Sequence, residues 1–329
     1  NVDQWKERDT PLPLSGKLVM ERDDYKNQTE GERFAAALFP GRSVIGNLNW
    51  LGITQPSLAF PTAYLGSHIG EGKQTLKWWE NVKWLGGFWK KHLAGKGLIY
   101  RRPEDYSIFE LAFCGYSDSS WADCVFTMRS SGGYLVFFFG MLISWKSSKT
   151  KTVQSTSVGE AEMWFGYLLA KGLVYLMDMA RELDIFPVSK FQSAWQCMDS
   201  KSVIEGMRLV GVTAGNRHWD IRCFYIRAMN EQEKLLRFIW VDTNNQLADM
   251  MTKAQPAPVG KPQREKVAGT AEEHAFFGSP DGTKFPLTIV QENLSLTSID
   301  GGLNWHMDLD LSKVDVRVLE NMLWTSKGT

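Results

Sequence analysis

The sequence predicts an α/β domain, a mixed sheet flanked by helices, preceded by a helical segment. Three observations lead there. Between 109 and 252, β-rich runs and helix-period stretches follow in the order β, β-hairpin, α, β, α, α, β, α. Upstream, from Ser43 to about Arg102, the pattern is helical. Four acidic residues fall where strands end or helices begin, so that they converge at one edge of such a sheet.

The 329 residues suffice for about two domains. A hydrophobic share of 43% and a charged share of 22% are ordinary for a folded soluble protein with a sizeable core. Basic and acidic residues balance at 37 each, so global charge argues for no partner and local charge has to. Cys114, Cys124, Cys197 and Cys223 show no close pairing, which disfavours a zinc site and a disulfide framework and fits a reducing intracellular compartment. No apolar run reaches the ~18–20 residues of a membrane span. The chain opens on Asn1 with neither Met nor a signal-peptide pattern, and so is expected to be a piece of something longer.

Residues 1–40 read as a polar linker, with Thr10-Pro-Leu-Pro13 and a charged stretch around Glu21–Glu32. In the helical segment, 41–105, Trp78, Val82, Leu85 and Trp89 share a face. Lys73 to Arg102 carries eight basic residues against Glu80 alone, with Lys83 and Lys90 off the apolar face. The α/β domain, 106–254, opens with a strand over Phe109–Ser117. A hairpin follows, turning at Gly140-Met141 between Tyr134–Phe139 and Leu142–Trp145. A long helix is expected from Val158 to Leu183 and a strand over Phe191–Met198. Helices near Ser202–Leu209 and His218–Asn230, a strand over Leu235–Asp242 and a helix from Gln246 complete the order. Past Ala254, Gln255-Pro-Ala-Pro258 and Lys261-Pro262 read as a linker into an extension of unknown role, 255–329. The extension has strand-like alternation at Leu287–Leu296 and a terminal helix at Ser312–Trp324.

Asp118 follows the first strand, Glu162 lies in the first turns of the long helix, Asp199 ends the next strand and Asp249 opens the last helix. Singly, each is an ordinary turn or cap residue. Together they form a constellation that repels itself and persists only when cations neutralise it. Hard oxygen ligands select Mg2+ or Mn2+. Two such ions about 3.5–4 Å apart can hold an attacking water and a leaving oxygen in line for phosphodiester hydrolysis. Glu160 competes with Glu162 for the second position. At i and i+2 the two cannot share a helix face, and Glu162 borders the apolar stripe of Ala161, Phe165, Leu168 and Leu169. Glu160 shares its face with Tyr167 and Lys171, so Glu162 is the expected ligand and Glu160 the solvated residue.

The motifs themselves are specific. Gly115-Tyr-Ser-Asp-Ser-Ser-Trp-Ala122 is followed by Ser131-Gly-Gly-Tyr134, Ile143-Ser-Trp145 and Ser157-Val-Gly-Glu-Ala-Glu-Met163. Cys197-Met-Asp-Ser-Lys-Ser-Val203, Arg217-His-Trp-Asp-Ile-Arg222 and Gln246-Leu-Ala-Asp-Met-Met-Thr-Lys253 complete the set. In this order the run from Gly115 to Ala254 resembles the ribonuclease H domain of copia-type LTR retrotransposon polyproteins. A weaker likeness extends back through Gly41-Arg-Ser-Val-Ile-Gly46 and Gln55-Pro-Ser-Leu-Ala-Phe60, where the helical segment resembles the thumb or connection of reverse transcriptase. The resemblance implies a ribonuclease H-like fold and an endonuclease that cuts the RNA strand of RNA–DNA hybrids to leave a 5′-phosphate. It implies Asp118, Glu162, Asp199 and Asp249 as catalytic ligands of two Mg2+, and a setting within the rest of the polyprotein, in a cytoplasmic particle or the nucleus. The polymerase's own metal-binding aspartates are not in the chain. Val158-Gly159, Met163, Met198 and Ser200 depart from the family pattern, which keeps open a binding relic that no longer cuts.

An integrase or transposase of the same general fold would place its Glu last, against the order Asp, Glu, Asp, Asp here. A structural α/β domain with coincidental caps is the blandest alternative. For nucleic-acid contact the candidates are Lys83, Lys90 and Lys91 on the basic helix, and Lys146, Lys149, Arg217, His218 and Arg222 nearer the acids. Such residues need only reach phosphates and 2′-OH groups. A plain solvated face for the lysines, and a capping or packing role for His218, stand as equal readings.

Overall fold

The computed structural model describes residues 4–17, 19–69, 74–100, 113–124, 127–150, 155–183, 193–208 and 221–270. Its centre is a five-stranded sheet in the order β3-β2-β1-β4-β5. The strands are β1 (Phe113–Ser120), β2 (Ser131–Phe138), β3 (Met141–Lys149), β4 (Ala194–Met198) and β5 (Leu236–Trp240). β1, β2 and β3 form an antiparallel meander, while β1, β4 and β5 run parallel. This is the mixed, helix-flanked, ribonuclease H-like sheet that the sequence predicts. The hairpin turns at Phe139-Gly140, one residue earlier than expected, because these two take the positive φ values, 46° and 76°, that a tight two-residue turn demands.

The long helix α5 (Val158–Glu182) covers the central strands. Ser157 starts it by accepting the Glu160 N–H. Ala161, Phe165, Leu169, Leu173 and Met177 recur every four residues and are all buried. The close approach of helix to sheet depends on a residue without a side chain. A Cβ at Gly132 of β2 would collide with the Phe165 ring. The remaining helices of this half are α6 (Lys201–Arg208) and α7 (Ile221–Arg227), the latter running into a single π-helical turn, Ala228–Gln232.

Ahead of the sheet stand α1 (Glu30–Ala37), α2 (Gly41–Leu51), α3 (Ala59–Gly66) and α4 (Leu76–His92). Trp78, Val82, Leu85 and Phe88 of α4 pack with Leu58 and Leu65 into one core, with Trp89 partly buried against it. The helical stretch expected to reach Arg102 ends at His92, and Gly95 follows with φ 69°. Leu12 and Met20 belong to this same core, and α1 has a capping box made by Thr29 and Glu32. Among the described residues up to 40, Leu12 and Met20 are thus packed where the polar composition reads as linker. A few apolar side chains in a polar run suffice when a neighbouring face is open to receive them.

Two further expectations are corrected. The segment from Gln246 is not an α-helix but consecutive 3-10 turns, Thr243–Asn245 and Leu247–Met251. The Pro-rich stretch after Ala254, read as linker, is α8 (Ala257–Ala268). Pro258 falls in its first turn, where no N–H is needed. Pro262 sits inside it, and Gly269 in the left-handed conformation ends it. Gln263 and Val267 are buried, and the Ile99 N–H donates to the Ala268 carbonyl at 2.8 Å. Leu287–Leu296 and Ser312–Trp324, where strand-like alternation and a terminal helix are expected, lie outside the described residues. None of the four cysteines forms a disulfide, and among the described residues no helix is long and apolar enough to cross a membrane.

The packing predicts opposite outcomes for two glycine substitutions. Gly132→Ala should cost about 1–3 kcal/mol, because the buried Phe165 ring has to shift. Gly172→Ala, in α5 with nothing within 4 Å of its added methyl, should gain up to about 1 kcal/mol from helix propensity. Denaturant unfolding of both variants checks this; equal effects would mean that Phe165 does not press on β2.

Candidate metal centre

Parallel strands deliver their carboxyl ends to the same edge. In the β1–β4 pair Tyr116 lies opposite Cys197, so two residues further along each chain Asp118 and Asp199 arrive side by side. β5 continues into the 3-10 turns that carry Asp249. One carboxylate oxygen from each of Asp118, Asp199 and Asp249 lies within 4.8 Å of the others. Asp118 and Asp249 are buried and Asp199 is partly exposed.

Glu162 stands beside this triad rather than in it. Its Oε1 accepts from the Ser119 N–H at 3.2 Å and the Ser119 hydroxyl at 2.9 Å. Its Oε2 is buried without a hydrogen-bond partner. Glu160 turns the other way, as the helical spacing requires, but it is not solvated. It folds back over the helix start and accepts from the Thr156 N–H at 2.7 Å and the Thr156 hydroxyl at 3.0 Å. It is buried as a cap.

The acids perturb one another. Burial, with Asp249 beside it, pushes the Asp118 carboxyl up to about 7, although Thr252 and Lys253 oppose the rise. Burial and the charge of Asp118 hold Glu162 well above the usual carboxylate range. Burial raises Asp249 as well, against the pull of its pair with Lys253. The Thr252 hydroxyl donates to Asp118 Oδ2, and the Lys253 ammonium lies 2.9 Å from Asp249 Oδ2. Around Asp199, Thr243 donates to Oδ2 at 3.3 Å and the Trp240 indole N–H donates to its main-chain carbonyl at 2.9 Å.

This set suits a hard divalent cation. Its donors are carboxylate oxygens, and two buried ones, Glu162 Oε2 and Asp249 Oδ1, have no hydrogen-bond partner. A cation of two positive charges would remove the repulsion that keeps the acids partly protonated. The supporting polar residues were not singled out from the sequence. Thr252 and Lys253 close the intact Gln246–Lys253 motif, and their i+3 and i+4 spacing from Asp249 is the signal that identifies them.

The expected cationic contacts fare unevenly. Lys83 pairs with Glu80 at 2.5 Å and Lys91 with Asp9 at 2.7 Å, so both are locally neutralised. The Lys149 amine is buried in the field of Asp123. Lys90 and Lys146 are partly exposed, and Arg222 lies over the Trp164 ring at 4.0 Å. Arg217 and His218 lie outside the described residues.

Fold and acidic edge together define a mixed α/β domain with a carboxylate cluster at the carboxyl edge of its sheet. In sequence, the chain is similar to retrovirus-related Pol polyproteins of plant transposons. It is 28% identical over 246 residues to that of transposon TNT 1-94 from Nicotiana tabacum, a match covering 74% of this chain and 17% of that protein. It is 27% identical over 219 residues to that of transposon RE2 from Arabidopsis thaliana, covering 64% and 14%. The chain thus spans about a sixth of the length of these curated relatives. Among solved structures, LC11 ribonuclease H1 in complex with RNA/DNA hybrid is 15% identical and covers 42% of this chain and 92% of that one, with a TM-score of 0.31. No protein-family model matches the chain.

The electrostatics of the edge set a pH dependence without divalent ions. The folded Asp118 carboxyl, at about 7, holds its proton more tightly than the unfolded one, at 3.8. The folded state therefore loses stability as pH rises through that window, and the loss is complete above about 7. At the limit the loss is about 4 kcal/mol. Between pH 5 and 8 in EDTA the melting temperature should fall, and Asp118→Asn should flatten the fall. An unchanged slope in the variant would show that Asp118 is not the group responsible.

Proposed function

We propose that this chain is a retrotransposon ribonuclease H-type nuclease, which hydrolyses the RNA strand of RNA–DNA hybrids with two Mg2+, Mn2+ being able to substitute. The observation that carries the reading is the convergence of Asp118, Asp199 and Asp249 within 4.8 Å at the carboxyl edge of the sheet, with Glu162 adjoining. Sequence similarity to plant transposon Pol polyproteins supports the same reading.

Asp118, Asp199 and Asp249 would hold the ions, and Glu162 would present its unpartnered Oε2 to them. When bound, divalent ions supply Lewis-acid activation of water and neutralise charge on the leaving oxygen. The residues of this chain do the positioning. Ser119 fixes the Glu162 carboxylate, Thr252 fixes Asp118 and Thr243 fixes Asp199. The hybrid is gripped by its backbone, with Lys90, Lys146 and Arg222 as proposed phosphate contacts and Arg217 and His218 retained from the motif.

The test is cleavage of an end-labelled hybrid with and without Mg2+. Asp199→Asn, which keeps the side chain's shape and removes its charge, should lower cleavage by orders of magnitude without loss of fold. Binding of the hybrid with no cleavage by the parent chain would favour a relic that binds but does not cut.

The two glutamates give a sharper comparison. Glu162→Gln should abolish Mg2+-dependent cleavage. Glu160→Gln should leave most of it and lower stability by about 1 kcal/mol, as a weakened helix cap does. The reverse pattern in activity would mean that Glu160 supplies the ligand.

A further inference from the structure

The closing motif ends in a cation that the proposed chemistry does not use. Lys253 lies four residues after Asp249 and places its ammonium 2.9 Å from Asp249 Oδ2. The Asp249 side chain is 6% exposed while Lys253 is 50% exposed, so the lysine reaches the acid from the solvent side. The other oxygen, Oδ1, is buried and unpartnered. Asp118 and Asp199 each have an oxygen within 4.8 Å of Asp249's. One positive charge therefore sits at the mouth of a cluster of negative ones, bound through one oxygen of a carboxylate whose other oxygen remains open.

We propose that Lys253 is a tethered counter-cation of the carboxylate cluster. It holds the acids together when no divalent ion is bound, and it competes with the ion for Asp249, raising the concentration at which the ion enters. This rests on the reading of the cluster as a divalent metal site. Two facts of charge carry it. Carboxylates this close cannot all stay ionised without a nearby cation. A fixed positive charge beside the site also opposes the approach of a doubly charged ion, and the opposition is strong where burial weakens solvent screening. Thr252 makes the complementary contact, its hydroxyl donating to Asp118 as Lys253 holds Asp249. Adjacent residues of one turn thus secure the two buried members of the triad. Lys253 is a positioning residue, acting through Asp249 rather than on the phosphate.

The test compares the parent chain with Lys253→Met, which keeps length and removes charge, and Lys253→Arg, which keeps charge. Calorimetry reads Mg2+ affinity, and thermal unfolding reads stability in EDTA and at saturating Mg2+, all at pH 8. Lys253→Met should melt below the parent in EDTA, recover the difference at saturating Mg2+, and bind Mg2+ on the order of tenfold more tightly. Lys253→Arg should track the parent in both. Equal Mg2+ affinity and equal EDTA stability in parent and Lys253→Met would overturn the proposal, as would weaker Mg2+ binding by Lys253→Met, since the lysine would then assist the ion. No Mg2+ or Mn2+ binding by the parent would instead overturn the metal reading on which the proposal rests.

Discussion

Mutual repulsion among carboxylates crowded at one sheet edge, two of them buried, is the constraint on which the rest of this structure depends. Asp118, Asp199 and Asp249 are brought within coordination range of one another by backbone that gives them no choice. The parallel register of β1 and β4 fixes two of them, and the turn after β5 delivers the third. The sheet core makes the arrangement tolerable. Tyr116, Leu135, Phe137 and Leu169 are fully buried, and hydrophobic burial of this kind contributes about 1.5–3 kcal/mol per large side chain. A strained polar edge can persist because the apolar layer beneath it is extensive.

Most of the α/β half was legible in the sequence, for physical reasons. Strands of β-rich residues and a helix with apolar residues every fourth position leave periodic signatures, and Ser157 marks the start of α5 plainly. The acids were legible because a parallel pair carries residues beyond its ends to a common edge. What was not legible depended on partners distant in sequence. α8 carries Pro256, Pro258 and Pro262 at its start and within it, a composition that reads as linker; only its packing through Gln263 and Val267 makes it a helix. Leu12 and Met20 are isolated apolar residues in a polar run, and nothing local announces that α4 offers them a core. Glu160 falls on the polar side of its helix by spacing, yet it is buried, because its side chain bends back to Thr156.

The same logic separates the two kinds of polar residue at the edge. The carboxylates are placed by strands and turns, and so by long-range pairing. Their supports, Ser119, Thr243, Thr252 and Lys253, are neighbours of those acids in sequence or in the adjoining turn, and each holds a carboxylate by hydrogen bonds or an ion pair. A motif that looks like a list of ligands is thus also a list of braces. The Trp240 indole extends the bracing to the backbone of Asp199, with Lys201 lying 4.1 Å over its ring.

α8 has a consequence for how such a chain can be reshuffled. It follows the last acidic motif in sequence but reaches back across the molecule. Ile99 donates to its Ala268 and Arg264 lies 5.0 Å over the Phe88 ring of α4, while separately the Trp145 indole of β3 donates to the Gly52 carbonyl just past α2. A recombination breakpoint drawn at the motif boundary, after Ala254, would inherit all four acids and still leave Phe88 without its Arg264 contact and Ile99 without its acceptor. Exchange that preserved the fold would therefore carry the helical segment and α8 along with the sheet, so that the unit of inheritance is larger than the cluster of acids it contains.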